Sequence, residues 1–133
     1  MKLYEAGSGY SVRGYDFNDG SYDIIRCAIE VHKTLGPGFR EIVYQRASAL
    51  EFDTAGIEYS REVKIPIYYK EKQIDTRRAY FVAANIMIEL KAKSEIDPQD
   101  YVQALNYVKA ADVRLSLLLN FGASRLQIKR LIN

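Results

Sequence analysis

Apolar positions along the chain change from helical spacing to alternation and back. Ile24, Ile25, Ala28, Val31, His32 and Leu35 fall on one helical face, which predicts a first helix over Ser21 to Leu35. Gly36-Pro37-Gly38 ends it, because proline lacks the donor that a continuing helix needs. Val43, Ala47 and Leu50, with Tyr44 beside them, form the expected inner stripe of a second helix over Glu41 to Thr54, and Gly56 is placed to cap it. The period then falls to two. Val63, Ile65 and Ile67 alternate with Lys64, Pro66 and Tyr68 and predict a strand; a second is expected over residues 73–82 and a third over residues 86–91. Val82 to Asn85 is short enough to join the last two as a hairpin. Asp97-Pro98 has the chemistry of an N-cap followed by proline in the first helical turn, so a third helix should run to about Ala111. Val113 to Asn120 is largely apolar, as in a strand buried on both faces. Residues 125–132 alternate basic and apolar and suggest an edge strand.

The resulting order, ααβββαββ, predicts one α/β domain over residues 21–133 with a mixed central sheet flanked by helices. Residues 1–20 hold Gly7, Gly9, Gly14 and Gly20 without periodicity and are expected to form an irregular extension.

Composition narrows the classes. The chain has 133 residues, 48% apolar and 27% charged, enough for one ordinary core. No apolar run has the length of a membrane span and no signal-peptide pattern opens the chain. Cys27 is the single cysteine, so no internal disulfide can form. A cytoplasmic protein without a membrane partner is expected, and a homo-oligomer is compatible with this. Cys27 itself reads as a small buried residue, and His32 as packed or surface-exposed rather than metal-binding. Net charge is only +2, but its distribution is uneven. Residues 61–93 hold eight basic side chains against four acidic, whereas residues 1–60 hold six against nine. This central basic zone is either a solvated sheet edge or a phosphate-facing surface.

Candidate chemistry sits at the end of the third predicted strand. Glu89 and Lys91 lie two apart and so share a face, while Ile88 and Leu90 take the other. A carboxylate and an ammonium at the end of a buried strand are costly unless paired or used. Phosphodiester hydrolysis could use them: the carboxylate would hold a hard cation such as Mg²⁺, and the lysine would orient a water or stabilise developing charge. An ion pair at a strand end is the plain alternative. On the following helix Gln103 and Tyr107 are four apart, on one face that can lie against the pair. Glu41, in the first turn of the second helix, serves at least the helix dipole.

Together these segments resemble the GxxExxY proteins. Leu35-Gly36-Pro37-Gly38 with Glu41 and Tyr44, then Ile88-Glu89-Leu90-Lys91-Ala92, Gln103-Ala104-Leu105-Asn106-Tyr107 and Leu119-Asn120-Phe121-Gly122 match that family's blocks in order, over roughly residues 21–133. The family is similar to the PD-(D/E)XK nucleases, particularly the exonuclease-like branch with a Gln-x-x-x-Tyr helix. The resemblance implies a restriction-endonuclease-like core, a Mg²⁺ or Mn²⁺ site and DNA or RNA as partner. It makes Glu41, Glu89 and the Leu90 carbonyl metal ligands and Lys91 the catalytic lysine. It makes Gln103 and Tyr107 positioning residues of the catalytic set. Arg77, Arg78 and Lys93, from the central basic zone, are candidate nucleic-acid contacts.

One acid is missing. The family carries an aspartate in an Arg-x-Asp-hydrophobic stretch before Glu-x-Lys. Here the stretch reads Arg77-Arg78-Ala79-Tyr80-Phe81-Val82, which sets Tyr80 at the aspartate position, or Ala79 if the hairpin is one residue shorter. A unit charge pair at contact is worth about 4 kcal/mol at an effective dielectric of about 20, so a neutral substitute should weaken a metal site strongly. Asp75 is the nearest acid, and a bulge would be needed to bring it round. The expectation is a nuclease-fold protein with a weakened or inactive metal site that still binds nucleic acid. The competing expectations are an active Mg²⁺-dependent phosphodiesterase using Glu41, Glu89 and Lys91, and a non-enzymatic scaffold domain.

Overall fold

The structure is a computed structural model that describes residues 3–5 and 20–133. Strand β1 (Leu3–Glu5) is followed by helices α1 (Ser21–Leu35) and α2 (Glu41–Ala55), then strands β2 (Ser60–Tyr69), β3 (Lys72–Ala83) and β4 (Ile86–Lys91). Helix α3 (Pro98–Ala110) and strands β5 (Leu115–Asn120) and β6 (Gln127–Ile132) complete the order. The strands form one six-stranded sheet in the order β1-β6-β5-β4-β3-β2. Only β4 and β5 run parallel, joined by α3 in a βαβ crossover; the other pairs are antiparallel.

The alternation of side chains sorts the core into two layers. Ile86, Ile88 and Leu90 of β4 and Leu115, Leu117 and Leu119 of β5 point towards α1 and α2, where Ile24, Val31, Tyr44 and Phe52 meet them. Met87 and Leu118 point the other way, towards Val108 and Ala104 of α3. All six residues of β5 are buried, as its apolar composition requires. The β3–β4 turn places Ala84 and Asn85 both at positive φ, 50° and 64°, which is the two-residue turn that matches strand twist.

Three expectations need correction. Residues 3–5 of the supposed irregular extension form β1, which pairs with β6, so β6 is an interior strand and not an edge. The remainder of that extension, apart from Gly20, lies outside the described residues. The inner face of α2 is not centred on Val43, Ala47 and Leu50: Tyr44, expected beside that stripe, is buried with Gln45, Ser48, Ala49 and Phe52, Ala47 packs at the margin of the core, and Leu50 is 68% exposed. Aromatic packing decides this. Tyr44 stacks on Phe121 with centroids 4.8 Å apart and Phe52 meets Phe81 at 5.1 Å, which turns the helix by nearly half a turn, at about 100° per residue, from the aliphatic stripe.

Candidate active site

The site lies where β3 and β4 part. Their ladder runs from Ala83↔Ile86 to Phe81↔Ile88 and no further, so Glu89, Leu90 and Lys91 have no partner on that side. Beside the gap β3 itself is irregular. Val63↔Ala79 and Arg61↔Phe81 are paired, but Glu62 and Tyr80 between them are not, and Glu62 has φ of 51°. Ala79 packs with Met87 and Val108 on the α3 face, whereas Phe81 and Ala83 lie under α1 and α2. In a regular strand Ala79 and Phe81 would share a face. The break reverses this, and it sends Tyr80 towards α2.

Tyr80 therefore does not share the face of Glu89. Its hydroxyl donates to Glu41 Oε1 at 2.6 Å, and its ring packs against the α1–α2 core. Burial and the Glu41 carboxylate hold the phenol well above its usual range, so it stays a protonated donor. The β3 residues on the face of Glu89 are Arg77 and Ala79. Arg77 Nη2 donates to Glu89 Oε2 at 2.9 Å, and its guanidinium lies 4.4 Å from the Tyr107 ring centroid.

Glu89 is 2% exposed. Burial pushes its carboxyl up to about 7, against the pull of Arg77 and Lys91 and with a small push from Glu41. Its Oε1 has no hydrogen-bond partner among the described residues, and neither has Arg77 Nε. Lys91 Nζ stands 3.9 Å from Asp100 Oδ1. Gln103, exposed on α3, and Tyr107 complete the lining with Asp100, Arg77, Glu89 and Lys91. The cleft holds about 10 Å³, roughly one water position.

The structure thus brings together Glu89, Lys91, Gln103, Tyr107 and Arg77, and sets Glu41 against Tyr80. Leu90 lies in the sheet beside Leu119 with its side chain in the α1–α2 core. Arg78 faces outward, 3.8 Å from Glu62. Lys93 is held at 2.8 Å by both Asp97 and Asp100, which raise its pKa. Asp75 is exposed, accepts from Thr76 N at 2.8 Å, and sits two residues beyond Arg77.

Two polar residues beside the site were given no role by the sequence, although Asn120 lies in the matched block Leu119-Asn120-Phe121-Gly122. Asp100 is buried, closes a reciprocal capping box with Asp97 and reaches both lysines. The spacing Asp97-x-x-Asp100 was its one signal. Asn120 is fully buried: its Oδ1 accepts from Lys93 N and Gly122 N, and its Nδ2 donates to Lys93 O and Gln127 Oε1. It ties the chain leaving β4 to the end of β5.

A family model of the PD-(D/E)XK nuclease superfamily matches residues 18–131. The chain belongs to that superfamily. No curated protein and no solved structure matches it. Nucleases of the superfamily generally use Mg²⁺ or Mn²⁺. The donors present here do not fit such an ion. Among the described residues no three of His, Cys, Asp and Glu group to hold a metal. Glu89 is neutralised by Arg77, Glu41 is bonded by Tyr80, and Ala79 offers no donor. No helix among the described residues is long and apolar enough to cross a membrane.

Proposed function

We propose that this chain is a GxxExxY-type member of the superfamily that binds nucleic acid and has lost metal-dependent cleavage. The observation that carries this is Ala79 on the strand face shared with Glu89, where the missing aspartate belongs, with Arg77 on Glu89 in place of an ion. Arg77-Arg78-Ala79-Tyr80 then aligns directly with the family's Arg-x-Asp-hydrophobic stretch. Of the two positions weighed for the aspartate, Tyr80 and Ala79, the face shared with Glu89 favours Ala79, and Asp75 sits on the exposed hairpin.

What remains can bind phosphate and position it. Lys91 supplies positive charge at the cleft, Gln103 supplies an exposed amide, and Tyr107 braces the Arg77 guanidinium that holds Glu89. With Glu89 titrating near neutrality, the carboxylate is a weaker anchor for a dication than an ordinary ionised glutamate.

The test compares three chains by calorimetry with millimolar Mn²⁺ and by cleavage of labelled DNA. The natural chain should bind no Mn²⁺ and cut nothing. Ala79→Asp should gain metal affinity, whereas Tyr80→Asp should not, because that side chain turns towards Glu41. Mg²⁺-dependent cleavage by the natural chain that disappears in Lys91→Ala would overturn the proposal in favour of an active phosphodiesterase.

A further inference from the structure

Helix α2 turns part of its aliphatic surface away from the sheet. Leu50 is exposed, and Ala47 packs only at the margin of the core. Helix α1 lies alongside, with Asp23 near Thr54 and Leu35 near Ala47, so the two helices run antiparallel. The furrow between their outer sides contains two adjoining hollows. One, of about 170 Å³, lies between Val31, Leu35, Ala47 and Leu50. The other, of about 380 Å³, lies over Cys27 between Asp23, Glu51 and Thr54. Glu30 and Glu51 border both. A lone exposed leucine needs no partner. Leu50 differs in its setting, since it walls a concave furrow. From Asp23 to Leu35 that furrow follows twelve residues of α1, roughly 18 Å at about 1.5 Å each.

The lining is acidic. Asp23, Glu30 and Glu51 face the furrow against one guanidinium, that of Arg26, which lies 5.6 Å from the Tyr22 ring centroid. Among the described residues none of the three carboxylates enters a salt bridge. Lys33 and Arg46, the other cations within these two helices, line neither hollow. The thiol on the floor feels the balance. Cys27 is pushed up to about 11 by burial first, then by Glu51 and Asp23, and Arg26 offsets only part of this.

We infer that the α1–α2 furrow is a docking groove for a basic amphipathic helix of a protein partner. Aliphatic side chains of that helix would rest on Leu35 and Leu50, and its lysines or arginines would meet Glu30, Glu51 and Asp23. Two antiparallel helices offer a third one a seat between their ridges, and the furrow takes about three turns of it. Charge disfavours the other occupants. A second copy docked by the same furrow would set six carboxylates against two guanidiniums. Residues 6–19 of this chain hold Arg13 against Asp16 and Asp19, so they do not complement an acidic lining. The inference is independent of the nucleic-acid reading. Helices α1 and α2 cover one face of the sheet, whereas Glu89 and its cleft share the other with α3.

The test measures fluorescence anisotropy with a labelled helical peptide of about twelve residues, leucine on one face and lysine on its flanks, and with its counterpart carrying glutamate for lysine. The natural chain should bind the lysine peptide at least about tenfold more tightly than the glutamate peptide. Glu30→Lys with Glu51→Lys should reverse that preference. Leu50→Ser should weaken the lysine peptide roughly tenfold. Both variants should keep the natural circular dichroism spectrum, and amide shifts induced by the peptide should fall on α1 and α2. Equal binding of the two peptides, or undiminished binding of the lysine peptide by the charge-reversed chain, would overturn the inference. So would shifts centred on the Glu89 cleft or the β2–β3 hairpin. Self-association of the natural chain that Leu50→Ser abolishes would overturn it in favour of a second copy.

Discussion

Glu89 is the most constrained residue of the site, and its proton is measurable through stability. Its carboxyl is raised from an ordinary 4.5 to about 7, chiefly by burial. Between those values the native state binds the proton more tightly than the unfolded chain, so stability is fully present below about pH 4.5 and falls as pH rises through 7. The loss is of the order of 3 kcal/mol, at about 1.36 kcal/mol per pH unit. Urea unfolding at pH 5 and pH 8 should show the natural chain markedly weaker at pH 8, with most of that difference absent in Glu89→Gln. An equal difference in the variant would assign the proton elsewhere. The pairing of Glu89 and Lys91 on one face was legible, because strand alternation is a local rule. The partner of Glu89 was not: Arg77 arrives from another strand, and Tyr80 turns away through a ladder break that no spacing reveals.

The elements themselves were largely readable. Glycine and proline at residues 36–38 and the Asp97-Pro98 cap act within a turn of where they occur, and both helix boundaries fell where this chemistry puts them. Helix α2 was misread in orientation because its buried face mixes Tyr44, Gln45 and Ser48 with Phe52, so hydrophobicity alone points elsewhere. Gln45 and Ser48 keep side-chain polar atoms without hydrogen-bond partners among the described residues, which is not a pattern that composition predicts. Between β5 and β6, Gly122 matters for contact and not for its φ. A Cβ there would lie 2.4 Å from Ala92 C and Lys93 N. These are backbone atoms that cannot swing aside, so Gly122→Ala should cost about 3 kcal/mol, read as a lowered denaturant midpoint. It should also disturb the Asn120–Lys93 bonds. An unchanged midpoint would mean that the crossing is slack.

At the scale of the whole molecule, the sheet protects one edge and presents the other. Strand β1 covers β6, leaving β2 as the outer strand with Lys64 and Pro66. Removal of residues 1–5 should uncover the outer backbone of β6, whose side chains include Ile128 and Leu131. Light scattering should then show concentration-dependent self-association that the full chain lacks. An equally monodisperse truncated chain would show that β1 adds little. The layer order followed from the sequence, because alternating helices and strands allow few arrangements. The closing of the sheet by Leu3–Glu5 did not, since three residues carry no periodic signal and their partner is more than a hundred residues away.

Ala79 has a further meaning at the level of the gene. Every alanine codon lies one base change from a codon for aspartate or glutamate. A carboxylate is therefore within the reach of ordinary point mutation, and every large population would sample it. A selection that scores host toxicity at this single position would show whether the loss is actively kept.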